Sequence, residues 1–389
     1  MTTLTERVGR PSRSALLADA PAVRNRTRRP YLVGSAVATP PRVDQDDLWE
    51  FFREHFAANP LVEKIWASSG IVTRHYAVDP RKEPSTEWTT GERMRRYLTE
   101  ALPLGRQAAA DALTSAGLTP ADLGLFAVAS STGHVTPGLD ILLSHELGMP
   151  ANMRRVIIGH MGCHAAVPGL GTVAEYVAVH GKPALLLCVE LSSLHAQPKS
   201  PTLHAGNPTI EDFEQIVAHS LFADGAAAVV VAPFERAFSA GGTANLEVLD
   251  VTALTDGSVS DYMGLVVTDH GFRMRLSPQV PEVLERHVAD LVTTLLAAHG
   301  HTLDDVDGWA IHPGGARILR VVADQLQLSE EATAPSYDIL REYGNCASPT
   351  VLIVLQRLLR TREIRPGKVA VALGFGPGLT LFAALLKAH

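Results

Sequence analysis

The chain has 389 residues, 46% hydrophobic and 19% charged, with a formal net charge of −7. That length allows two average domains or one large double domain with a sizeable core, and the acidic balance argues against a general nucleic-acid binder. Three cysteines, Cys163, Cys188 and Cys346, are too few for a disulfide framework at this size, so a reducing, cytoplasmic setting is expected.

Residues 1–29 hold seven arginines against Glu6 and Asp19 and lack the apolar core of a secretion signal. A solvated, mobile tail is expected there, and no run anywhere in the chain reaches membrane-spanning length. From residue 30 onward the pattern is α/β. Strands are expected at about 31–39, 124–130, 154–159, 183–190, 226–232, 308–312, 368–374 and 379–386. Helices are expected at about 102–116, 165–180, 281–298, 316–327 and 346–361. Residues 44–100 and 192–220 read as insertions, the second rich in Pro, Ser, Thr and His, which is loop chemistry.

The second half echoes the first. A constant shift of 183 positions lays Thr119 on Thr302, Asp122 on Asp305, Phe126 on Trp309 and Cys163 on Cys346. Gly181-Lys182 before ALLLCVEL likewise answers Gly367-Lys368 before VAVALGF. Each copy offers an amphipathic helix, a short turn and a nearly continuous apolar strand of the kind buried on both faces. Two such units packed together give a layered α/β/α/β/α body. The expected division is a tail at 1–29, a first half at 30–235 and a second half at 236–389.

Three positions carry candidate chemistry. Cys163 follows the strand ending at Ile158 and opens a helix through GHMGCHAAVPGLG. New helical N–H groups there favour a thiolate, and Gly162 allows the tight turn of a nucleophile elbow. Cys188, in mid-strand, reads as structural, and His160 and His164 lack the fourth ligand of a zinc site. His312 ends a strand broken by Pro313-Gly314-Gly315, at the carboxyl edge where α/β sheets place their chemistry. Asn345 precedes a helix with Pro349 in its first turn. By itself it reads equally as a simple cap. The duplication instead sets Asn345-Cys346 opposite Gly162-Cys163, near a pseudo-twofold axis.

MGCHA around Cys163, IHPGGARIL around His312, YGNCAS around Asn345, GFGPGLT at 374–380 and SLFADGAAAVVV around Phe222 together resemble the chalcone synthase-like, type III polyketide synthase family, in its bacterial form. HPGG and GFGPGLT separate the chain from ketoacyl-ACP synthase III, and no second cysteine near the carboxyl end matches a thiolase. A papain-like protease shares the Cys–His–Asn order, but the duplication and HPGG disfavour it. A non-catalytic dimer partner would lack the cysteine.

The resemblance implies a thiolase-like five-layer αβαβα fold built from two duplicated halves, working as a homodimer. It implies Cys163 loaded from an acyl-CoA, with His312 and Asn345 stabilising the enolate left when malonyl-CoA loses carbon dioxide. No metal or redox cofactor is then required. His312 is expected to lower the Cys163 pKa as an ion pair. Phe222 is implied as a gatekeeper, Thr136 as the point where a partner's loop reaches the site, and His195, Met274 and Ala347 as cavity-shaping positions. Gly314, Gly315 and Arg317 are candidates for holding coenzyme A, since Ser69 and Ile65 stand where basic residues are common. Lys64 and Arg74 are nearby candidates for the same phosphates, although each taken alone reads more readily as a solvated surface charge. A fatty acyl starter giving an alkylpyrone or alkylresorcinol is the expected chemistry. The alternatives are a single condensation of the ketoacyl-ACP synthase III kind, or a dihydroxyphenylacetyl-CoA or phloroglucinol synthase.

Overall fold

The computed structural model describes residues 28–56, 60–198, 202, 209–239, 246–361 and 364–389. Most of the arginine-rich tail and much of the loop around 199–208 lie outside the described residues. In the first half the strands are β1 (Pro30–Ala38), β2 (Arg42–Asp44), β3 (Thr73–His75), β4 (Leu125–Ser130), β5 (Arg154–Gly159), β6 (Ala184–Leu191) and β7 (Asp224–Pro233). The second half adds β8 (Leu246–Thr255), β9 (Met263–Thr268), β10 (Gly271–Leu276), β11 (Val306–Ile311), β12 (Val369–Gly376) and β13 (Thr380–Ala388). The helices are α1 (Gln45–His55), α2 (Pro60–Ala67), α3 (Thr90–Ser115), α4 (Leu139–Glu146), α5 (Ala166–His180) and α6 (Ile210–Leu221). They continue with α7 (Phe234–Ser239), α8 (Val280–Ala298), α9 (Ala316–Leu326), α10 (Glu330–Tyr343) and α11 (Ser348–Thr361).

Strand order runs β11-β12-β13-β8-β1-β7-β6-β4-β5. The link between β8 and β1 is only the register pairs Tyr31–Glu247 and Leu32–Leu246, so the two halves form two sheets touching at one edge. Within them β4 runs parallel to both β5 and β6, and β11 parallel to β12. Period-two alternation divides each strand between two cores. On β6, Leu185 and Leu187 join the outer core with Tyr97, Ala101 and Ala108 of α3. Leu186 and Cys188 face the middle core, with Leu170 and Val173 of α5 and Val351 and Leu355 of α11. On the far side, Val371 and Leu373 of β12 pack with Val283 and Leu291 of α8 and Leu319 of α9. The result is helices, sheet, helices, sheet, helices. The middle pair, α5 and α11, is covered on both sides and is accordingly apolar around much of its circumference.

The duplication survives at the level of caps. Thr119 with Asp122, and Thr302 with Asp305, each close a reciprocal capping box just before the first parallel strand of their half. Two differences from the sequence reading have local causes. Helix α3 starts at Thr90 rather than near residue 102, because a Thr89–Glu92 capping box, worth about 1 kcal/mol, nucleates it a full three turns earlier. The β9–β10 hairpin was not foreseen; its strand MGLVVT is half exposed and lacks the buried run that marks the other strands. Among the described residues no helix is long and apolar enough to cross a membrane.

Candidate active site

Cys163 sits in a single 3-10 turn, Gly162–His164, between β5 and α5. Gly162 has φ of 73°, and a Cβ there would come within 2.9 Å of the Pro377 ring, so the turn requires glycine twice over. The Gly162 N–H donates to Ser131 Oγ at 2.9 Å, pinning the turn to the end of β4. Cys163 is left 8% exposed and borders a cavity. His164 turns away into the core, its ring stacked on Phe382 at 5.2 Å.

His312 directly follows β11, and its N–H donates to Leu373 O at 2.8 Å, extending the pairing with β12 by one residue. Its ring is buried, and neither Nδ1 nor Nε2 has a hydrogen-bond partner. Buried polar atoms are rarely orphaned, so an imidazole held in this state is available to a ligand. Asn345 joins the seam between the halves. Its N–H donates to Leu221 O and its carbonyl accepts from Ala223 N–H, both at 2.9 Å, around a bridge to Phe222. Its Oδ1 accepts from Ala347 N–H at 2.9 Å. Because only the oxygen can accept, the amide is oriented with its NH2 free to donate. Cys346 instead points inward, Sγ toward Asp224 O, and is wholly buried.

A cavity of about 480 Å3 collects Cys163, Phe222, His312 and Asn345 on its inner wall. Gly314, Gly315 and Arg317 line the same cavity, among mostly apolar side chains such as Ile65, Phe213, Leu276 and Leu284. A smaller inner cavity of about 80 Å3 continues past Cys163, lined by His195, Phe272, Leu265 and Ala347. Cys163, Phe222, Met263 and Met274 border both compartments and so form the constriction between them. His195 is a wall, stacked on Phe272 at 4.4 Å. Its Nε2 donates to Thr132 O, so Nδ1 is the acceptor for Phe272 N–H, and burial holds the ring neutral with a pKa lowered to about 4.

Thr136 lines a separate cleft of about 850 Å3 that shares Leu265, Phe272 and Pro377 with the inner compartment. Other positions differ from the sequence reading. Ser69 does not line the site; it is buried and accepts from Gln45 Nε2. Arg74 is not a surface charge but is fully buried, its Nη1 donating to backbone carbonyls of α6 and its cap. Burial pushes the Cys163 thiol up to about 12, with the Glu190 charge adding to the effect. Burial also draws His312 down to about 3, helped by His164. In the empty cavity burial thus works against charge on either group, and so against the expected ion pair. A raised thiol pKa means little thiolate at neutral pH and more with each added unit. Iodoacetamide labelling of Cys163 in the free enzyme is accordingly expected to climb about tenfold per pH unit from pH 6 to 9. A plateau below pH 7 would instead reveal a standing ion pair.

Glu190 went unnoticed in the sequence. It is completely buried at the end of β6 and borders the inner cavity with Cys163. It accepts from Ser131 and Thr132 N–H, Thr132 Oγ1 and Ser348 Oγ, and burial raises its pKa to about 6. The available signal was an acid inside the otherwise apolar strand ALLLCVEL.

Comparison with known proteins agrees with this geometry. Residues 67–233 match the family model of chalcone and stilbene synthases, N-terminal domain, and residues 255–389 that of the C-terminal domain. The chain is 33% identical to the alpha-pyrone synthesis polyketide synthase-like protein of Mycobacterium tuberculosis, over 90% of this chain and 88% of the relative. It is also 33% identical to the 1,3,6,8-tetrahydroxynaphthalene synthase of Streptomyces peucetius subsp. caesius, over 90% of this chain and 91% of that one. Among solved structures, PKS-I from the brown alga Ectocarpus siliculosus superposes with a TM-score of 0.84 at 31% identity, covering 93% of this chain and 98% of that one.

Proposed function

The chain belongs to the chalcone and stilbene synthase family, and from that premise we propose that it extends a fatty acyl-CoA starter with malonyl-CoA and cyclises the product to an alkylpyrone or alkylresorcinol. It is a type III polyketide synthase, an acyltransferase with a thiolase-like fold. The observation that carries the proposed roles is the single cavity bordered by Cys163, Phe222, His312 and Asn345.

In the loading step the Cys163 sulfur attacks the starter thioester as its proton passes to His312. The tetrahedral intermediate collapses, coenzyme A leaves as thiolate and takes that proton, and an acyl-Cys163 thioester remains. Malonyl-CoA then places its thioester oxygen between the Asn345 NH2 and the His312 ring. Loss of carbon dioxide puts negative charge on that oxygen, where preorganised donors act most strongly. The enolate carbon attacks the acyl-Cys163 carbonyl, a carbon–carbon bond forms, and the Cys163 sulfur departs to begin another round. Phe222, beside this position, keeps water from the malonyl carboxylate and so favours its departure.

The substrate class rests on the apolar walls and on Met263 and Met274 at the constriction, flexible side chains that yield to an alkyl chain. Turnover with saturated acyl-CoAs of graded length, read by product mass, tests it. Products from long saturated starters are expected. Turnover confined to malonyl-CoA alone, or to aryl starters, contradicts the alkyl reading and favours the naphthalene-type chemistry named for the Streptomyces peucetius relative.

Arg317 is the charged side chain on the outer cavity that suits coenzyme A phosphates, beside Gly314 and Gly315 at the start of α9. Arg317→Ala is expected to raise KM for malonyl-CoA about threefold to tenfold with kcat unchanged, as befits one exposed charge–phosphate contact. An unaltered KM would remove Arg317 from that role. The cleft holding Thr136 suits a second copy of the chain, whose partner subunit's Thr136 would border the inner compartment. Exposed Ile157 and Val267 line that cleft.

A further inference from the structure

Arg74, in β3, is fully buried. Its Nη1 donates to His219 O at 2.6 Å and to Phe222 O at 2.9 Å. Those carbonyls belong to the last turn of α6 and its cap, groups that a helix end leaves without partners. A cation there also meets the negative end of the helix dipole. The guanidinium carbon lies 5.2 Å from the ring centroids of both Trp66 and Tyr76. Nε and Nη2 reach no backbone or carboxylate acceptor within hydrogen-bond geometry, and the groups facing them are the Tyr76 hydroxyl and, farther off, the buried Asp224.

The stem of the same side chain reaches the other half of the molecule. Gly344 has φ of 70°, and a Cβ on it would come within 2.9 Å of Arg74 Cγ. The strand around Arg74 is tied to the end of α10 by Val72 N–H donating to Arg341 O at 2.8 Å and Thr73 Oγ1 donating to Glu342 O at 2.6 Å. Directly after Gly344 comes Asn345, which bridges to Phe222. One side chain thus touches the Phe222 carbonyl on one side of the seam and the residue before Asn345 on the other. Desolvation is the largest influence on this guanidinium, exceeding the help it gets from Tyr76 and Asp224, and an apolar residue of similar size would fill the core without that cost.

We infer that Arg74 is a positioning residue for the decarboxylation step, holding Phe222 and Asn345 in register across the seam between the halves. This rests on the reading above that Phe222 and Asn345 serve the malonyl thioester. Cys163 is placed separately, by β5, Ser131 and α5, so starter loading does not depend on Arg74.

The test measures two steps in parallel on Arg74→Met and Arg74→Lys: acylation of Cys163 by a starter acyl-CoA, and carbon dioxide release from malonyl-CoA. Arg74→Met is expected to lose about 10²-fold in carbon dioxide release, the scale of an ångström-size misplacement, with acylation within about threefold of wild type. Arg74→Lys keeps the charge without the planar fork and is expected to lose about tenfold in the same step alone. Equal losses in both steps, or an unchanged rate of carbon dioxide release in the folded Met variant, overturn the proposal. A chain that folds with neither substitution marks Arg74 as framework and overturns it too. The wild-type control separates the two layers. If wild type releases no carbon dioxide, the functional reading falls; if wild type and Arg74→Met release it equally, only the positioning role falls.

Discussion

Cys163→Ala is expected to reduce starter loading and product formation by at least about 10⁴-fold, because the acyl group then has no sulfur to occupy. Carbon dioxide release from malonyl-CoA should persist in the same variant. That step needs donors on the thioester oxygen, and His312 and Asn345 stand on walls that the substitution leaves intact: the end of β11 and the seam beside Phe222. Alanine also fits the site, since Cys163 is a small side chain at a cavity edge and its turn is fixed by Gly162 and Pro377. The paired measurement is acyl transfer by protein mass and carbon dioxide by trapping. Loss of both activities in a folded variant would mean that the sulfur takes part in decarboxylation, contrary to the proposed division of labour.

The opposite pattern is expected of Asn345→Ala. Removing one preorganised donor from a developing oxyanion costs about 10²–10³-fold, and the loss should fall on carbon dioxide release while Cys163 still acylates. The structure makes this substitution informative because the Asn345 side chain does little else: its Oδ1 receives one N–H, from Ala347, and its backbone carries the seam. Ala347 has φ of 54°, so loss of the Oδ1 contact also loosens a left-handed residue next to the pocket. Asn345→Asp distinguishes donation from shape. It keeps the acceptor for Ala347 and replaces the NH2 with an anion, so it should be at least as damaging as alanine. An aspartate variant with near wild-type release would show that the NH2 does not donate to the substrate.

What could be read from the sequence was whatever local chemistry specifies. Cys163 was conspicuous because a strand, a glycine turn and a helix follow one another within a few residues, and each is locally encoded. The two halves were visible because Thr119–Asp122 and Thr302–Asp305 build the same cap twice. Side chains whose setting depends on distant packing were not legible. Arg74 looks like a surface charge until α2, α6 and the Gly344 turn close around it. Glu190 lies in an apolar strand, and its donors come from the end of β4, the turn that follows it and the start of α11. The charge balance of Cys163 and His312 depends on distant packing in the same way. A helix start and a nearby imidazole both argue for thiolate, whereas burial of the two groups, invisible in the sequence, works against charge on either. Met263, at the constriction, came with a hairpin that has no buried run to announce it.

The most direct test is peptide mapping of enzyme quenched seconds after mixing with a saturated acyl-CoA. The acyl mass is expected on the peptide carrying Cys163, with Cys188 and Cys346 unmodified, and it should disappear on addition of malonyl-CoA as extended product forms. Product formation with Cys163 unmodified throughout, or an acyl group resident on either of the other two cysteines, would contradict it.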